Sequence, residues 1–184
     1  MSWNLLRLDE VAATPWRNGG GVTRELLAWP QARDWRVRMS VAEVARDGPF
    51  SRFDGVQRWF AVLDGAGVRL RIHGATHELT QRSAPFAFDG AVATDCALIA
   101  GATQDFNLML RGADGRMGRV RGTRSLDCSA MRLIAIYAGP GAARAGFGDE
   151  QVEIGPRTLA WRILEADGHL RIDSPDALWM EIKP

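Results

Sequence analysis

An internal repeat constrains the fold of this chain more than any other feature of its sequence. FAVLDGAG (residues 60–67) aligns with IAIYAGPG (134–141), and ELTQRSAPFAF (78–88) aligns with EIGPRTLAWRI (153–163). Apolar positions, turn glycines and a Glu/Arg pair recur in the same order in both copies. The repeat therefore predicts two copies of one unit, each built as strand, Gly-x-Gly turn, strand, turn and strand.

Short segments of alternating polarity dominate the rest of the chain and predict strands. Residues 35–43 place Trp35, Val37, Met39 and Val41 on one face of an extended segment and mostly polar residues on the other. An Asp-Gly pair at residues 167–168 predicts a hairpin turn. Evenly spaced short strands are typical of a β-sandwich or barrel, so the predicted fold class is all-β. Helix is expected only in short pieces, with residues 8–13 as one candidate.

Composition and charge exclude several classes of protein. The chain has 184 residues and a net charge of +1, which favours neither nucleic acid nor an anionic membrane. No apolar run reaches the roughly 20 residues of a membrane-spanning helix, and no secretory signal precedes the first strand. Cys96 and Cys128 form neither a disulfide framework nor a metal-binding spacing. We expect a cytoplasmic protein without nucleic acid or membrane partners.

Metal-dependent and nucleophilic catalysis both lack their usual sequence signals. The three histidines are His73, His77 and His169, and all three adjoin predicted turns rather than converging on a barrel interior. No Gly-x-Ser-x-Gly motif is present, and Cys96 has no basic neighbour in the sequence that would lower its pKa. We therefore expect neither a metal nor any other cofactor.

A run of three glycines, in PWRNGGGVTRE (residues 15–25), raises the question of a phosphate-binding loop. A P-loop requires a lysine after the glycines and a helix behind it, and this segment has neither. The glycines instead enter an extended segment, in which Thr23 and Glu25 share one face and Arg24 takes the other. This pattern predicts a turn that brings backbone close to a ligand or to another strand.

Four sequence blocks give the chain a resemblance to a known family. The blocks are PWRNGGGVTRELLAWP (15–30), DWRVRMSVAEVARDGPFSRFDGVQRWFAVLDGAGVRL (34–70), PFAFDG (85–90) and TDCALIAGATQDFNLMLR (94–111). They resemble the HutD/Ves family, whose members are bicupins of the RmlC-like cupin superfamily. The resemblance implies a double cupin formed by the single chain 1–184, with halves near 15–111 and 112–184 and strand exchange between them. It also implies a link to bacterial histidine utilisation and no established enzymatic activity.

The family blocks contain the polar residues that we expect to line a ligand pocket. In a barrel, alternate residues of each strand point into the interior. A polar side chain there needs a hydrogen-bond partner or a water-filled cavity. An arginine, here Arg24 or Arg58, would bind a carboxylate in a bidentate manner. Arg36 and Arg38 are expected to face solvent instead. The predicted ligand-binding residues are Asn18, Gly20, Thr23, Arg24, Glu25, Ser40, Glu43, Arg58, Asp105 and Asn107, with apolar walls from Phe50, Phe53, Phe86 and Phe88.

The resemblance implies a metal-free protein that binds a small carboxylate metabolite, such as formylglutamate or urocanate, and regulates histidine utilisation. Two enzymatic alternatives stay open. One is a cupin-type isomerase or hydrolase that uses Glu25, Glu43 or Asp105 as a general base. The other is a metal-dependent oxygenase. Cupin-like chains also associate through strand edges, so a homodimer is an expected assembly.

Overall fold

A computed structural model describes residues 2–184, which form seventeen strands and one short 3₁₀ helix. In the first part of the chain the elements are β1 (Asn4–Arg7), the 3₁₀ helix (Leu8–Glu10), β2 (Thr14–Pro15), β3 (Gly21–Trp29), β4 (Val37–Val44), β5 (Gly48–Pro49), β6 (Val56–Asp64), β7 (Val68–Ile72), β8 (Ala75–Leu79), β9 (Phe86–Asp89), β10 (Thr94–Leu98) and β11 (Thr103–Arg111). The remaining strands are β12 (Asp114–Cys128), β13 (Leu133–Ala138), β14 (Ala143–Phe147), β15 (Glu150–Ile154), β16 (Thr158–Ile163) and β17 (Gly168–Lys183). The chain is therefore all-β, as the alternating sequence pattern predicts.

The chain divides into two compact units. The N-terminal unit comprises Ala12–Gly112, and the C-terminal unit combines Ala113–Pro184 with the N-terminal segment through Val11. That N-terminal segment contributes β1, which pairs antiparallel with β16.

Two sheets form the N-terminal unit. The larger has the strand order β2-β3-β4-β11-β6-β9, and the smaller has the order β5-β10-β7-β8. A cluster of buried apolar side chains contains residues from both sheets, including Phe60 and Val62 of the larger and Val68 and Leu70 of the smaller. The inward-facing side chains of the two sheets therefore form one apolar core between them.

The C-terminal unit pairs its strands in the same pattern, with a few long strands in place of several short ones. β13 pairs with β16 and β17, as β6 pairs with β9 and β11. β17 continues past β13 to pair with β14, so this single strand takes the places of β11 and β10. β12 lies along the whole of β17, as β4 and β5 lie along β11 and β10. The two repeated sequence segments thus occupy matching places in their respective sheets.

The helix predicted over residues 8–13 is a single 3₁₀ turn, Leu8–Glu10. Leu8 is buried, and its amide donates to the carbonyl of Arg157, so tertiary contacts fix this segment. Val11 already has extended backbone angles, which end the turn after three residues. Within residues 2–184, no helix has the length and apolar character needed to cross a membrane.

Candidate functional site

A cavity of about 760 Å³ opens into the N-terminal unit, on the inner face of the larger sheet. Its walls come from β3, β4, β6 and β11, from the turn between β2 and β3, and from the segment that follows β5. None of its described lining residues is acidic. The lining residues are Pro15, Trp16, Arg17, Asn18, Thr23, Arg38, Ser40, Ala42, Val44, Pro49, Phe50, Ser51, Arg52, Phe53, Arg58, Phe60, Asn107 and Met109.

Strand register places the polar groups of the cavity floor in two adjacent rows. Met109 on β11 pairs with Arg38 on β4 and with Arg58 on β6, so the two arginines flank it in one row. In the next row, Asn107 pairs with Ser40 on one side and with Phe60 on the other. Because residues two apart in a strand face the same side, both rows point into the cavity.

Arg58 is the buried cation of this floor. Arg58 is only 5% exposed. Its Nη2 donates to Asn107 Oδ1 at 3.1 Å, and its Nη1 donates to the Ser51 carbonyl at 3.3 Å. The guanidinium carbon lies 5.0–5.8 Å from the ring centres of Phe88, Phe50 and Phe53. Burial, followed by the charge of Arg38, lowers the pKa of Arg58 to about 10.

No carboxylate within residues 2–184 contacts Arg58, and its buried Nε has no hydrogen-bond acceptor there. A buried guanidinium pays a large desolvation penalty unless an anion or a full set of acceptors surrounds it. The site therefore has the charge and the free donor required to bind an anionic group at the cavity floor.

Arg38 also faces the cavity, and the prediction that it points to solvent is wrong. Its Nε donates to Glu25 Oε2 at 2.5 Å, and its side chain is 26% exposed. The physical reason is parity: Arg38 is two residues from Ser40, so it must share the inner face that Ser40 occupies.

The glycine-rich turn forms one rim of the cavity. The Trp16 indole donates to the Thr23 hydroxyl at 2.7 Å, which ties the turn to β3. Asn18 Oδ1 accepts the Gly20 amide at 2.9 Å, so the Asn side chain closes the turn locally. Gly19 has φ of +67°, in the left-handed region that glycine adopts without strain.

The structure brings five of the ten predicted ligand-binding residues to the cavity wall. Asn18 lies on the turn, Thr23 on β3, Ser40 on β4, Arg58 on β6 and Asn107 on β11. All five contribute a hydroxyl, an amide or a guanidinium. This set can donate and accept hydrogen bonds to a polar ligand.

The other five predicted residues lie outside the lining. Glu25 holds Arg38, and Gly20 is buried within the turn. Arg24 pairs with Val41 and therefore belongs to the opposite face of β3 from Thr23. Glu43 is exposed on β4, also at the parity opposite to Ser40.

Asp105 is fully buried on β11, one row beyond Asn107. The Thr103 hydroxyl donates to its Oδ2 at 2.7 Å, whereas Oδ1 has no partner among residues 2–184. Burial raises the pKa of Asp105 to about 7, although the Thr103 hydrogen bond opposes this shift. The Cys96 thiol is a neighbour, and its pKa is raised to about 12 by burial and then by the charges of Asp105 and Asp47.

Several lining residues were missed by sequence reasoning. Arg38 could have been found from its parity with Ser40. Trp16, Ser51 and Arg52 lie in irregular segments, where no periodicity indicates which side chains point inward. Only the folded turn and the segment after β5 bring them to the cavity.

The histidines lie apart from this cavity. His73 is in the turn between β7 and β8, and His77 packs against Phe86 with ring centres 4.5 Å apart. His169 pairs with Asp127 on the surface. In the described part of the chain, no group of three or more His, Cys, Asp or Glu side chains could hold a metal ion.

The C-terminal unit contains a second buried arginine with a different partner. Arg162 has a side chain 5% exposed, and its guanidinium carbon lies 5.6 Å and 5.7 Å from the ring centres of Trp3 and Phe147. Its Nη1 donates to Glu150 Oε2 at 2.5 Å. Both units thus bury an arginine among aromatic rings, but in the C-terminal unit a carboxylate of the chain neutralises it.

Curated relatives match part of the chain. An uncharacterised 21.2 kDa protein in the hutC 3' region of Pseudomonas putida is 37% identical over 107 residues, which are 57% of this chain and 56% of that protein. Protein Ves from Escherichia fergusonii is 38% identical over 52% of this chain and 51% of its own length. The chain therefore spans about half the length of the curated relatives that it matches.

Solved structures match nearly the whole chain. A conserved protein of unknown function from Pseudomonas aeruginosa PAO1 has a TM-score of 0.85 and 29% identity, covering 99% of this chain and 98% of that one. HutD from Pseudomonas fluorescens SBW25 has a TM-score of 0.84 and 24% identity, with 98% of each chain covered. Salicylate 1,2-dioxygenase from Pseudoaminobacter salicylatoxidans shares the fold at 6% identity, with a TM-score of 0.65 over 98% of this chain and 81% of that one.

These likenesses identify a cupin-like β-barrel fold. The HutD family model matches residues 8–180, which include nearly all of both units and every residue of the cavity wall. The chain belongs to the HutD family.

Proposed function

We propose that the protein binds a small carboxylate metabolite in the cavity of the N-terminal unit, with Arg58 as the principal ligand-binding residue. One observation carries the proposal. Arg58 is buried at the floor of an open cavity, with one unsatisfied donor and no carboxylate partner in the described chain. A bound carboxylate would supply the missing acceptor and the missing charge together.

Arg162 supports this choice of ligand group. Among the aromatic rings of the C-terminal unit, the chain neutralises a buried guanidinium with the carboxylate of Glu150. Arg58 has a similar aromatic setting but lacks that carboxylate. An external carboxylate would therefore complete at Arg58 an arrangement that the protein already uses elsewhere.

The lining chemistry favours binding over proton transfer. The polar lining groups are guanidinium, hydroxyl and amide groups, which orient a ligand but rarely exchange protons near neutral pH. The three carboxylates considered as general bases, Glu25, Glu43 and Asp105, are not lining residues. The enzymatic alternative would require one of them to reach the ligand after a rearrangement.

The proposed biological role is regulation of histidine utilisation, with formylglutamate or urocanate as the first ligands to test. This role rests on family membership and on the name of the Pseudomonas putida relative, which places that protein in the hutC 3' region. The matching strand pairings of the two units support a further proposal, that they are the two halves of a double cupin. A cytoplasmic location would suit a sensor of a metabolic intermediate.

Thermal stabilisation tests the binding proposal. Urocanate, formylglutamate, glutamate and formate should each be titrated to millimolar concentration, and a ligand at about 100 times its Kd should stabilise the fold by about 2.7 kcal/mol. In Arg58→Gln, which keeps a polar side chain of reduced length, affinity should fall by about tenfold or more because the charge-assisted hydrogen bond from the free Nε donor is lost.

Arg71→Gln provides the matched control, because Arg71 lies on the smaller sheet in an exposed ion pair with Asp95. The control should bind like the parent protein. Failure of all four ligands to shift the parent Tm, or retention of full affinity by Arg58→Gln, would refute the proposal. The regulatory role has a separate test: a strain whose only copy carries Arg58→Gln should grow on histidine like the deletion strain.

A further inference from the structure

The guanidinium of Arg162, in the C-terminal unit, is enclosed by side chains from two separate segments. Trp3, which immediately precedes β1, has its ring centre 5.6 Å from the guanidinium carbon. The hairpin of β14 and β15 contributes Phe147, whose ring centre is 5.7 Å away, and Glu150, whose Oε2 accepts from Nη1 at 2.5 Å. Arg162 therefore lies between the N-terminal segment and a hairpin.

Two buried donors at this position have no acceptor. They are Nε of Arg162 and the indole Nε1 of Trp3, and neither has a hydrogen-bond partner among residues 2–184. Glu150 accepts from a terminal amino group of the guanidinium and leaves Nε unpaired. A buried N–H without an acceptor is costly, so the position favours a group that brings additional oxygen acceptors.

The charges that face this interior are positive on balance. Arg162 and Glu181 pair with the same residue of β13, so they share its inner face. Glu181 is neutralised by Arg116, whose Nε and Nη2 lie 2.8 Å and 2.6 Å from Glu181 Oε2. Arg124 packs its guanidinium carbon 5.3 Å from the ring centre of Trp179 and forms no ion pair within the described chain. Three arginines thus face two carboxylates, and an added anion would reduce the repulsion among them.

Glu150 occupies this position from a site that is itself open to solvent. Its side chain is 55% exposed, whereas that of Arg162 is 5% exposed. The corresponding hairpin of the N-terminal unit, between β7 and β8, has Ala75 at this place, because Ala75 pairs with Ile72 as Glu150 pairs with Phe147. The hairpin itself therefore does not require a carboxylate. Rotation of the Glu150 side chain into solvent would leave a space of carboxylate size beside Arg162.

We propose that Arg162 forms a second anion site, for a small monocarboxylate, and that Glu150 is its internal competitor. An external carboxylate takes the place of the Glu150 carboxylate and, being untethered, also reaches the unpaired donors of Arg162 and Trp3. The tethered carboxylate thereby sets the concentration at which the site fills. This site lies in the other unit from the proposed carboxylate cavity, and its occupancy does not depend on Arg58.

Nitrogen-15 NMR of the full chain reads the site through two signals, the Nε–H of Arg162 and the indole N–H of Trp3. Titration with acetate should shift both signals along one saturation curve, and chloride at equal concentration should shift them far less. In Glu150→Gln, half-saturation should occur at about fivefold or more lower acetate concentration, because the internal competitor is lost. Glu153→Gln, on the same strand, should titrate like the parent protein, since Glu153 pairs with the exposed Arg144.

Two further variants test the donors. Arg162→Gln should abolish the saturable shift of the Trp3 signal. Trp3→Phe keeps an aromatic ring and removes the donor, so acetate affinity, followed on the Arg162 signal, should fall by about tenfold. Circular dichroism and Tm of each variant establish that it is folded, and Trp3→Phe keeps the test decisive if Arg162→Gln does not fold.

The possible outcomes separate this inference from the proposed function. Unchanged half-saturation in Glu150→Gln, full acetate affinity in Trp3→Phe, or a saturable Trp3 shift that persists in Arg162→Gln would overturn it. Tighter binding of phosphate than of acetate would overturn the assignment of the site to a carboxylate. Arg58→Gln should leave the titration of the Trp3 signal unchanged, and loss of that titration in Arg58→Gln would assign the shift to the N-terminal cavity instead.

Discussion

Asp105 shows how burial can dominate the protonation of one carboxyl group. It lies on the inward parity of β11, where the sequence predicts a ligand contact, but the structure places it one row beyond the cavity. With one oxygen bonded to Thr103 and the other without a partner in the described chain, its neutral form is favoured in the folded state. It therefore affects the pH dependence of folding more directly than ligand binding.

Stability should fall as the pH rises toward neutrality because of this residue. Its pKa is about 7 in the folded protein against an ordinary value of 3.8, so the folded state binds the proton more tightly. The favourable contribution is complete below pH 3.8, is lost progressively up to about pH 7 and is constant above that. Asp105→Asn removes this titration. As the pH rises from 5 to 7, the free energy of unfolding of the variant should therefore increase by about 2–3 kcal/mol relative to that of the parent protein.

Urea denaturation at several pH values measures this difference. The gain of Asp105→Asn should grow from pH 5 to pH 7 and then stay level through pH 8.5. A difference that is constant over the whole range would show that Asp105 is ionised in the folded protein at pH 5. Cys96→Ala in the same background is a control, because burial raises the pKa of the Cys96 thiol to about 12 and keeps it neutral in the folded protein over this pH range.

At the scale of elements, the strands were more predictable than the turns that connect them. The alternation around Val37 and Met39 correctly indicated β4. The hairpin turn predicted at residues 167–168 is wrong, because Gly168 already begins β17, and β16 and β17 each pair with β13 rather than with each other. β12, the 15-residue strand Asp114–Cys128, was not predicted, because arginines and glycines interrupt its alternation. Its long pairing with β17, a tertiary contact, stabilises it instead.

The cavity residues show the same difference between regular strands, which could be predicted, and irregular segments, which could not. Residues on regular strands, such as Ser40 and Asn107, could be assigned to the cavity from parity. The contribution of Trp16, Arg52 and Ser51 depends on the path of irregular segments, which a single sequence does not specify. The central prediction, a carboxylate-binding arginine, included Arg58 but not its neighbour Arg38.

The junction of the glycine turn with β3 is sensitive to one methyl group. A Cβ at Gly21 would lie 2.1 Å from the Glu43 carbonyl oxygen of the paired strand, which is an impossible contact. A Cβ at Gly20 would meet only the Asn18 side chain, at 3.1 Å. Gly21→Ala should therefore destabilise the fold by about 1–3 kcal/mol, and Gly20→Ala by clearly less.

Denaturation midpoints of the two variants at equal m-value check this expectation. A carboxylate titration of Gly20→Ala tests the sequence-based assignment of Gly20 to ligand binding, and this variant should keep its carboxylate affinity. If Gly20→Ala unfolds at lower urea concentration than Gly21→Ala, the pairing of β3 with β4 differs from the one described.

At the scale of the whole molecule, the two units each bury an arginine but differ in whether the chain supplies a carboxylate partner. Each buries an arginine among aromatic side chains, Arg58 in the N-terminal unit and Arg162 in the C-terminal unit. Only Arg162 has a carboxylate from the chain itself, and that carboxylate comes from Glu150 on β15. The internal repeat thus predicted the duplicated strands, whereas the difference between the two buried arginines depends on a few side chains that the repeat does not align.

Removing the internal carboxylate should make the C-terminal unit dependent on an added anion. Glu150→Gln leaves Arg162 buried without its counter-ion, which should destabilise the protein. The loss should be about 1 kcal/mol or more, and it is limited because solvent screens the half-exposed Glu150. At about 2–4 °C per kcal/mol, the Tm should fall measurably. Millimolar formate should restore part of this loss by replacing the missing carboxylate.

Glu153→Gln is the control on the same strand, since Glu153 pairs with the exposed Arg144. It should change the Tm little and should not respond to formate beyond the response of the parent protein. Equal Tm losses in the two variants would mean that the Arg162–Glu150 contact is no stronger than a surface ion pair.

The uncompensated charge of Arg58 also bears on the lifetime of the protein in the cell. The N-terminal unit carries a desolvated cation that lowers its stability, and an anion bound in the cavity, as proposed, would remove that penalty. The unfolded fraction available to proteases should consequently fall as the metabolite accumulates. Abundance of the protein would then follow metabolite supply after translation, without any change in the rate of its synthesis.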